Sequence, residues 1–317
     1  MVREKSRLSQ LPTNKIRKNK DNPRIIFRES DMQRLFESIS EGGIRVPITV
    51  YEDGKKFILI DGERRWRCAS RLNFLNIPAI IQPKPSRVEN ILIMFNIHNV
   101  RQDWDLMPMA LKLNELRDLL EKSGKSFNSR AIAGVTGLSP TAVDRAFQLL
   151  DLPKKYTNRL MREAAKPKSE QVITADLIFE INKSYRAIAR YLPIITRKIN
   201  KYDYLDIMIR KYEKGVVNNV VRFRDISKIA RAERVGGQKT LVIPVIRKLI
   251  SNHNFTIEDA YTATVELVYQ LRDVNTKTKS LVVQLSQLKK SHKITSEIAS
   301  SLQALRLHIN RLIGSDE

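Results

Sequence analysis

Cysteine is nearly absent from this chain: Cys68 is the single one in 317 residues, which excludes an internal disulfide framework. Histidine is scarce as well, and His98, His253, His292 and His308 stand at no metal-ligand spacing from one another or from Cys68, so a zinc site is not expected. Aromatic residues make up 7%, with Trp66 and Trp104 the two tryptophans, and their pattern offers no stacking platform for single strands. No run of about 18 apolar residues exists and Met1 to Gln10 is charged throughout, so neither a membrane span nor a signal-peptide core is expected, and the protein reads as cytoplasmic. Negative charge is the other shortage. Against 34 Asp and Glu stand 57 Lys and Arg, a formal net charge of +23. That is far more than solubility requires and predicts a polyanionic partner, with double-stranded DNA first. Hydrophobic residues at 42% are enough to build cores, and the length suggests roughly two to three domains.

Residues 1–21 carry Arg3, Lys5, Arg7, Lys15, Arg17, Lys18 and Lys20 with few apolar positions, and read as a flexible basic arm. Residues 22–106 read as a small α+β domain. Asp31 caps a helix bearing Leu35, Phe36 and Ile39, Gly42-Gly43 stops it, and Pro47 to Tyr51 and Phe57 to Ile60 form strands around a Glu52-Asp53-Gly54-Lys55 turn. A helix from Glu63 to Leu72, a strand at Pro78 to Ile81 and a helix from Val88 to Ile97 follow. Residues 107–165 read as an all-helical unit, with Lys166-Pro167-Lys168 as a linker to a further helical region at 166–317. There Thr174 caps one helix and Thr256 with Asp259 forms a capping box. Ile298, Leu302, Leu305, Ile309 and Leu312 make a stripe that suits either a self-pairing helix or one packed on its own domain.

Between Ser129 and Gln148 the residues spell a helix-turn-helix. Ser129 caps the first helix, Ala133 lets two helices approach, Gly137 turns the chain, and Val143 and Ala146 pack the second helix back. Ser139 caps that second helix and Pro140 occupies its first position, where a missing N–H costs nothing. Thr141, Asp144, Arg145 and Gln148 would face the major groove, with Arg145 the first choice for a guanine, while Ser129, Arg130 and Ser139 would meet phosphate. An ordinary helical hairpin with a glycine turn has the same outline, and the surplus of positive charge favours the DNA-binding reading.

The segment Gly62-Glu63-Arg64-Arg65-Trp66-Arg67 lies between a strand and a helix, so helix-start N–H groups and several guanidinium groups converge on one volume. Such a place binds phosphate; a nucleotide, a DNA backbone and a solvated basic face all remain compatible with it. Trp66 reads as a core anchor and Cys68 as a small buried side chain.

These segments, together with Asn22-Pro23-Arg24, Ser38-Ile39, Gly43, Pro47-Ile48 and Leu149-Leu150-Asp151-Leu152-Pro153, resemble the ParB/RepB family of partition proteins over residues 22–153. The resemblance implies a small ParB/sulfiredoxin-like mixed domain followed by all-helical domains, the last of them RepB-like and suited to dimerisation. It implies a dimeric clamp that binds a centromere-like site, is gated by CTP, recruits a ParA/RepA-type Walker ATPase and sits on the nucleoid or plasmid. By it, Gly62, Glu63, Arg64, Arg65 and Arg67 would hold the triphosphate, Gly43 would lie near the base, and Asn99 and Arg101 would complete the site. The family's Glu-Asn pair falls on His98-Asn99, and the following Gln-Arg is inverted as Arg101-Gln102. A neutral imidazole does not replace a carboxylate on Mg2+, which argues against CTP hydrolysis and leaves CTP binding as the expectation.

A transcriptional regulator on the same scaffold is the alternative reading, and a neighbouring ATPase gene would discriminate against it. A nuclease is more remote, because no paired carboxylates or activated nucleophile stand beside the arginine box.

Overall fold

A computed structural model describes residues 6–22, 24–99, 105–122, 128–236, 239–288 and 294–313, with the side chains at positions 30, 98, 99, 235 and 239 outside that description. The architecture is α+β, a mixed sheet followed by helices. The sheet contains β1 (Arg7–Pro12), β2 (Ile16–Arg17), β3 (Ile48–Asp53), β4 (Lys56–Asp61) and β5 (Asn76–Gln82) in the order β1-β5-β3-β4-β2. β3 and β4 form the hairpin that the Asp53-Gly54 turn requires, pairing Val50 with Leu59, and Gly54 takes φ +62° there. β5 runs parallel to β3 and antiparallel to β1. Alternation does the packing: Ile48, Val50, Ile77, Ala79 and Ile81 point into one core with Leu11, Ile16 and Leu59.

The first strands correct one expectation. Residues 7–17 are built into the sheet and are no flexible arm, because Leu11 and Ile16 are buried core residues and Arg7 to Pro12 pair with Ile81 to Asn76. Leu11 is the one buried residue of β1 and Ile16 that of β2, too few inward side chains to show as a strand pattern in a basic stretch.

Helices α1 (Glu29–Gly42) and α2 (Glu63–Arg71) pack together through Met32, Ile39 and Cys68. Cys68 is fully buried, and burial pushes its thiol up from the ordinary range, so it is inert packing as expected. Asp31 lies in the first turn of α1 and does not cap it; the cap position is Arg28, without a side-chain bond. Helices α3 (Arg87–Asn99), α4 (Leu106–Glu121), α5 (Ser129–Thr136) and α6 (Pro140–Leu150) share a second core of Ile91, Phe95, Leu113, Leu116, Ile132, Ala133, Val143 and Ala146. The expected boundary at 106/107 therefore falls inside shared packing, since α3 contributes Ile91 and Phe95 to the helical core.

Helix α7 (Lys154–Ala165) leads to Lys166-Pro167-Lys168, which is no linker. Glu163 reaches over it, accepting from Lys166 Nζ at 2.6 Å and from the Val172 and Ile173 amides at 2.8 and 3.4 Å. Burial alone would raise the Glu163 carboxyl; these donors outweigh it and hold it below the ordinary range. The chain instead divides into one unit of residues 1–183 and 205–215 and a second of 184–204 and 216–317. Helices α8 (Ala175–Tyr191) and α10 (Lys201–Glu213) each run through a unit boundary, with the short α9 (Pro193–Thr196) between them. Thr174 caps α8 as expected.

The second unit continues with α11 (Phe223–Ala230), α12 (Lys239–Ser251), α13 (Ile257–Thr262), α14 (Glu266–Gln287) and α15 (Ser296–Ile313). Thr256 and Asp259 form the expected capping box on α13. None of the residues of α14 and α15 is buried, and Ile298, Leu305, Ile309 and Leu312 are exposed.

Candidate nucleotide pocket and DNA-reading helices

The arginine box opens at Gly62, which sits between β4 and α2 with φ +90° and ψ 22°. A side chain is excluded there: a Cβ would stand 2.7 Å from Ile48 Cγ2, and Ile48 is core. The turn and the start of α2 border a pocket of about 210 Å³ lined by Asn22, Arg24, Phe27, Leu35, Leu59, Ile60, Asp61, Gly62, Glu63, Arg64 and Arg65.

Each charged member of the box is held by a specific neighbour. Glu63 is buried and accepts from Asn22 Nδ2 at 2.8 Å and from Arg67 Nε and Nη2 at 3.0 and 2.6 Å. Arg64 donates to the Asp31 carbonyl of α1. Arg65 donates to the Val46 and Pro47 carbonyls at 2.5 and 2.6 Å and pairs with Asp61 at 2.9 Å. Arg65 thereby pins the loop after Gly43 to the wall of the pocket, which brings two separate parts of the sequence to one place. Gly43 itself takes φ +67° at the end of α1 and does not line the pocket. Arg67 turns to the neighbouring hollow, stacking 4.1 Å over the Phe27 ring beside Trp66 and Arg71. Asn99, His98 and Arg101 as side chains, and Gln102 and Trp104, lie outside the described residues. Among the described residues there is no group of three or more His, Cys, Asp or Glu that would hold a metal ion.

Sequence patterns gave no hint of Arg28. Its Nη2 pairs with Asp105 at 2.6 Å and donates to the Ala164 carbonyl at 3.0 Å, and its Nε donates to the Lys166 carbonyl at 3.0 Å. It thus joins the segment next to Phe27, a pocket residue, to the start of α4 and to the C-terminal carbonyls of α7, where a cation is electrostatically favoured. Asn19 was equally silent in the sequence; buried, it donates to the Leu59 carbonyl and to Asn90 of α3 at 2.8 and 3.0 Å.

The helix-turn-helix is formed by α5 and α6 with Gly137 at φ +72° between them. Ser139 Oγ accepts from the Ala142 amide at 3.1 Å, and Pro140 starts α6, as expected. The cap of α5 is Asn128, whose Oδ1 accepts from Ala131, one residue earlier than the Ser129 expected; Ser129 is the first helical residue and half-buried. Arg130, Ser139, Thr141, Asp144 and Gln148 are exposed. Arg145 is half-buried, ion-paired with Asp176 of α8 and stacked 4.7 Å over Phe179. Its guanidinium is therefore already engaged within the chain, a fact that a local motif has no means to show.

Residues 2–97 match the family model described as the ParB N-terminal domain. The chain is 26% identical over 218 residues to a nucleoid occlusion protein of Geobacillus thermodenitrificans, covering 67% of this chain and 72% of the relative. It is 30% identical over 156 residues to the chromosome-partitioning protein ParB of Caulobacter vibrioides, covering 48% of this chain and 49% of the relative. A nucleoid occlusion protein of a Geobacillus strain matches at 32% over 165 residues, 50% of this chain and 54% of the relative. The chain thus spans about half the length of several curated relatives it matches. Among solved structures it is similar to the C-terminally truncated ParB of Caulobacter crescentus complexed to the centromeric parS site, with TM-score 0.43 and 23% identity over 70% of this chain and 98% of that one.

Proposed function

We propose, for a chain whose residues 2–97 match the ParB N-terminal domain model, that it is a site-specific DNA-binding partition protein of the CTP-gated clamp type. The observation that carries this is one chain holding both an arginine-lined pocket at Gly62 to Arg65 and a capped helix-turn-helix with Ser139, Thr141 and Gln148 exposed. CTP is the ligand we assign to the pocket. Its residues fit a triphosphate: Arg24, Arg64 and Arg65 supply positive charge, and α2 supplies helix-start N–H groups. When bound, the nucleotide would supply the negative charge that Arg24, Arg64 and Arg65 and the start of α2 would hold. Glu63 orients this assembly by holding Asn22 and Arg67 at once. Asn99 and Arg101, at the end of α3 and just beyond it, are assigned to the same site. Arg67 acts there as a strut. Whether Mg2+ accompanies the nucleotide depends on residues around His98.

DNA recognition is assigned to Arg130, Ser129 and Ser139 on phosphate and to Thr141, Asp144, Arg145 and Gln148 at base edges. Arg28 supports a coupling role between pocket and helices, since it directly follows Phe27 of the pocket lining and bonds to Asp105 and to the Ala164 carbonyl. Homodimerisation is assigned to α14 and α15. Along α14, Leu267, Leu271, Val274, Leu281 and Leu285 keep heptad spacing with Thr278 between them, and the face is unburied. A ParA/RepA-type ATPase is the further partner that partition would require.

Calorimetric titration of the whole protein with CTP, with and without Mg2+, tests the reading. Binding that Arg64→Ala abolishes supports it. No CTP binding by the unmodified protein refutes the clamp and leaves a helix-turn-helix regulator.

A further inference from the structure

The second unit carries 21 Lys and Arg against 10 Asp and Glu, so it is strongly basic without any help from the helix-turn-helix. Much of that charge is ordinary. Arg222 pairs with Asp225 and Glu258, Lys228 with Asp225, and Lys277 with Asp273. Around Tyr191, at the end of α8, the pattern differs. The guanidinium carbons of Arg190, Arg231 and Arg234 lie 5.5, 5.6 and 4.9 Å from its ring centroid. All three arginines are exposed, Tyr191 is half-buried, and none of the three pairs with a carboxylate among the described residues.

Three like charges gathered on one ring repel one another. The ring offsets part of that repulsion, because its electron-rich face attracts each cation. It also fixes the guanidinium groups while their N–H edges keep access to water. An anion with several charges at close spacing completes such an arrangement. Duplex DNA presents one phosphate charge per about 1.7 Å of its axis, and arginine matches phosphate with paired N–H bonds.

We propose that Arg190, Arg231 and Arg234, held on Tyr191, form a second DNA contact that grips the phosphate backbone without reading sequence. The contact adds to the helix-turn-helix and rests on the DNA-binding reading above. DNA is favoured over an acidic protein because the whole second unit shares the positive sign.

The test is fluorescence anisotropy of the full chain on a random-sequence duplex of about 40 base pairs, titrated across salt concentration. The slope of log affinity against log salt counts phosphate contacts at about 0.9 each. Replacing all three arginines by glutamine is expected to lower the slope by about 2 to 3 and the affinity at about 0.1 M salt by at least roughly tenfold. The three-fold lysine variant keeps the charge and is expected to keep the slope. Arg130→Gln, in the helix-turn-helix, is expected to remove about one further contact, additively. An unmodified slope in the glutamine variant overturns the contact and leaves an acidic protein as the partner. Equal losses in the lysine and glutamine variants overturn it too, tracing the effect to packing. Arg234→Gln alone, expected to lower the slope by about 1, serves should the three-fold variant fail to fold. Absence of binding by the unmodified protein refutes the DNA-binding reading itself, an outcome distinct from the others.

Discussion

Replacing Gly62 by alanine tests how the pocket is built. Two costs add. A non-glycine residue in left-handed backbone costs roughly 1–2 kcal/mol, and Gly62 sits at φ +90°. The new methyl would also stand 2.7 Å from Ile48 Cγ2 and 3.0 Å from Ile48 Cβ. Ile48 is fully buried between Ala79 and the α2 turn, so it has no solvent to swing into, and overpacking of that kind costs about 1–3 kcal/mol. Together, about 2–5 kcal/mol of unit stability should be lost, or roughly 5–20 °C in melting temperature for a unit of this size. Gly54→Ala is the matched control, because Gly54 also has positive φ, +62°, with nothing within 4 Å of its would-be Cβ. It should lose only the backbone share, about 1–2 kcal/mol. Urea unfolding followed by tryptophan fluorescence measures both, since Trp66 packs against the sheet core. Should the two variants lose the same stability, the close approach of Gly62 to Ile48 has no energetic consequence and the reasoning fails.

Glu163→Gln should cost about 1–3 kcal/mol at pH 7, because a buried acceptor of one ion pair and two amides loses its charge. Since the folded carboxyl titrates below its ordinary range, the stabilisation is complete above about pH 4.3 and is lost as pH falls through the folded value; urea melts at pH 7 and pH 3 should show the difference closing. Asp176→Asn should tighten DNA binding by roughly 2- to 10-fold, because it releases Arg145 and removes a carboxylate from the DNA-reading side; unchanged or weaker binding by anisotropy refutes this. Thr256→Ala should remove the capping box and about 1 kcal/mol from the second unit, read as a lowered urea midpoint by circular dichroism. Leu271→Asp should shift the protein to a monomer in sedimentation if α14 pairs with a second copy, and a persisting dimer would place that contact elsewhere.

Local chemistry determined much of this protein from the sequence alone. Gly54, Gly137, Ser139-Pro140 and the Thr256–Asp259 box act within a few residues of themselves, so turn, cap and helix start are legible before any fold is known. Net charge, being a sum, is equally legible and pointed to DNA. The arginine box was visible as a cluster of guanidinium groups at a helix start for the same reason. What tertiary structure decided is where side chains go once distant segments meet. Arg65 turns to Val46 and Pro47, Arg67 to Glu63 and Phe27, Arg145 to Asp176, and Arg28 spans to Asp105 and Ala164. The basic segment at 7–17 became sheet because β5 and β4 offered open hydrogen-bonding edges to it. Long charged side chains have many rotamers and many acceptors within reach, so their partners are selected by the packing of the whole unit, and no local pattern encodes that choice.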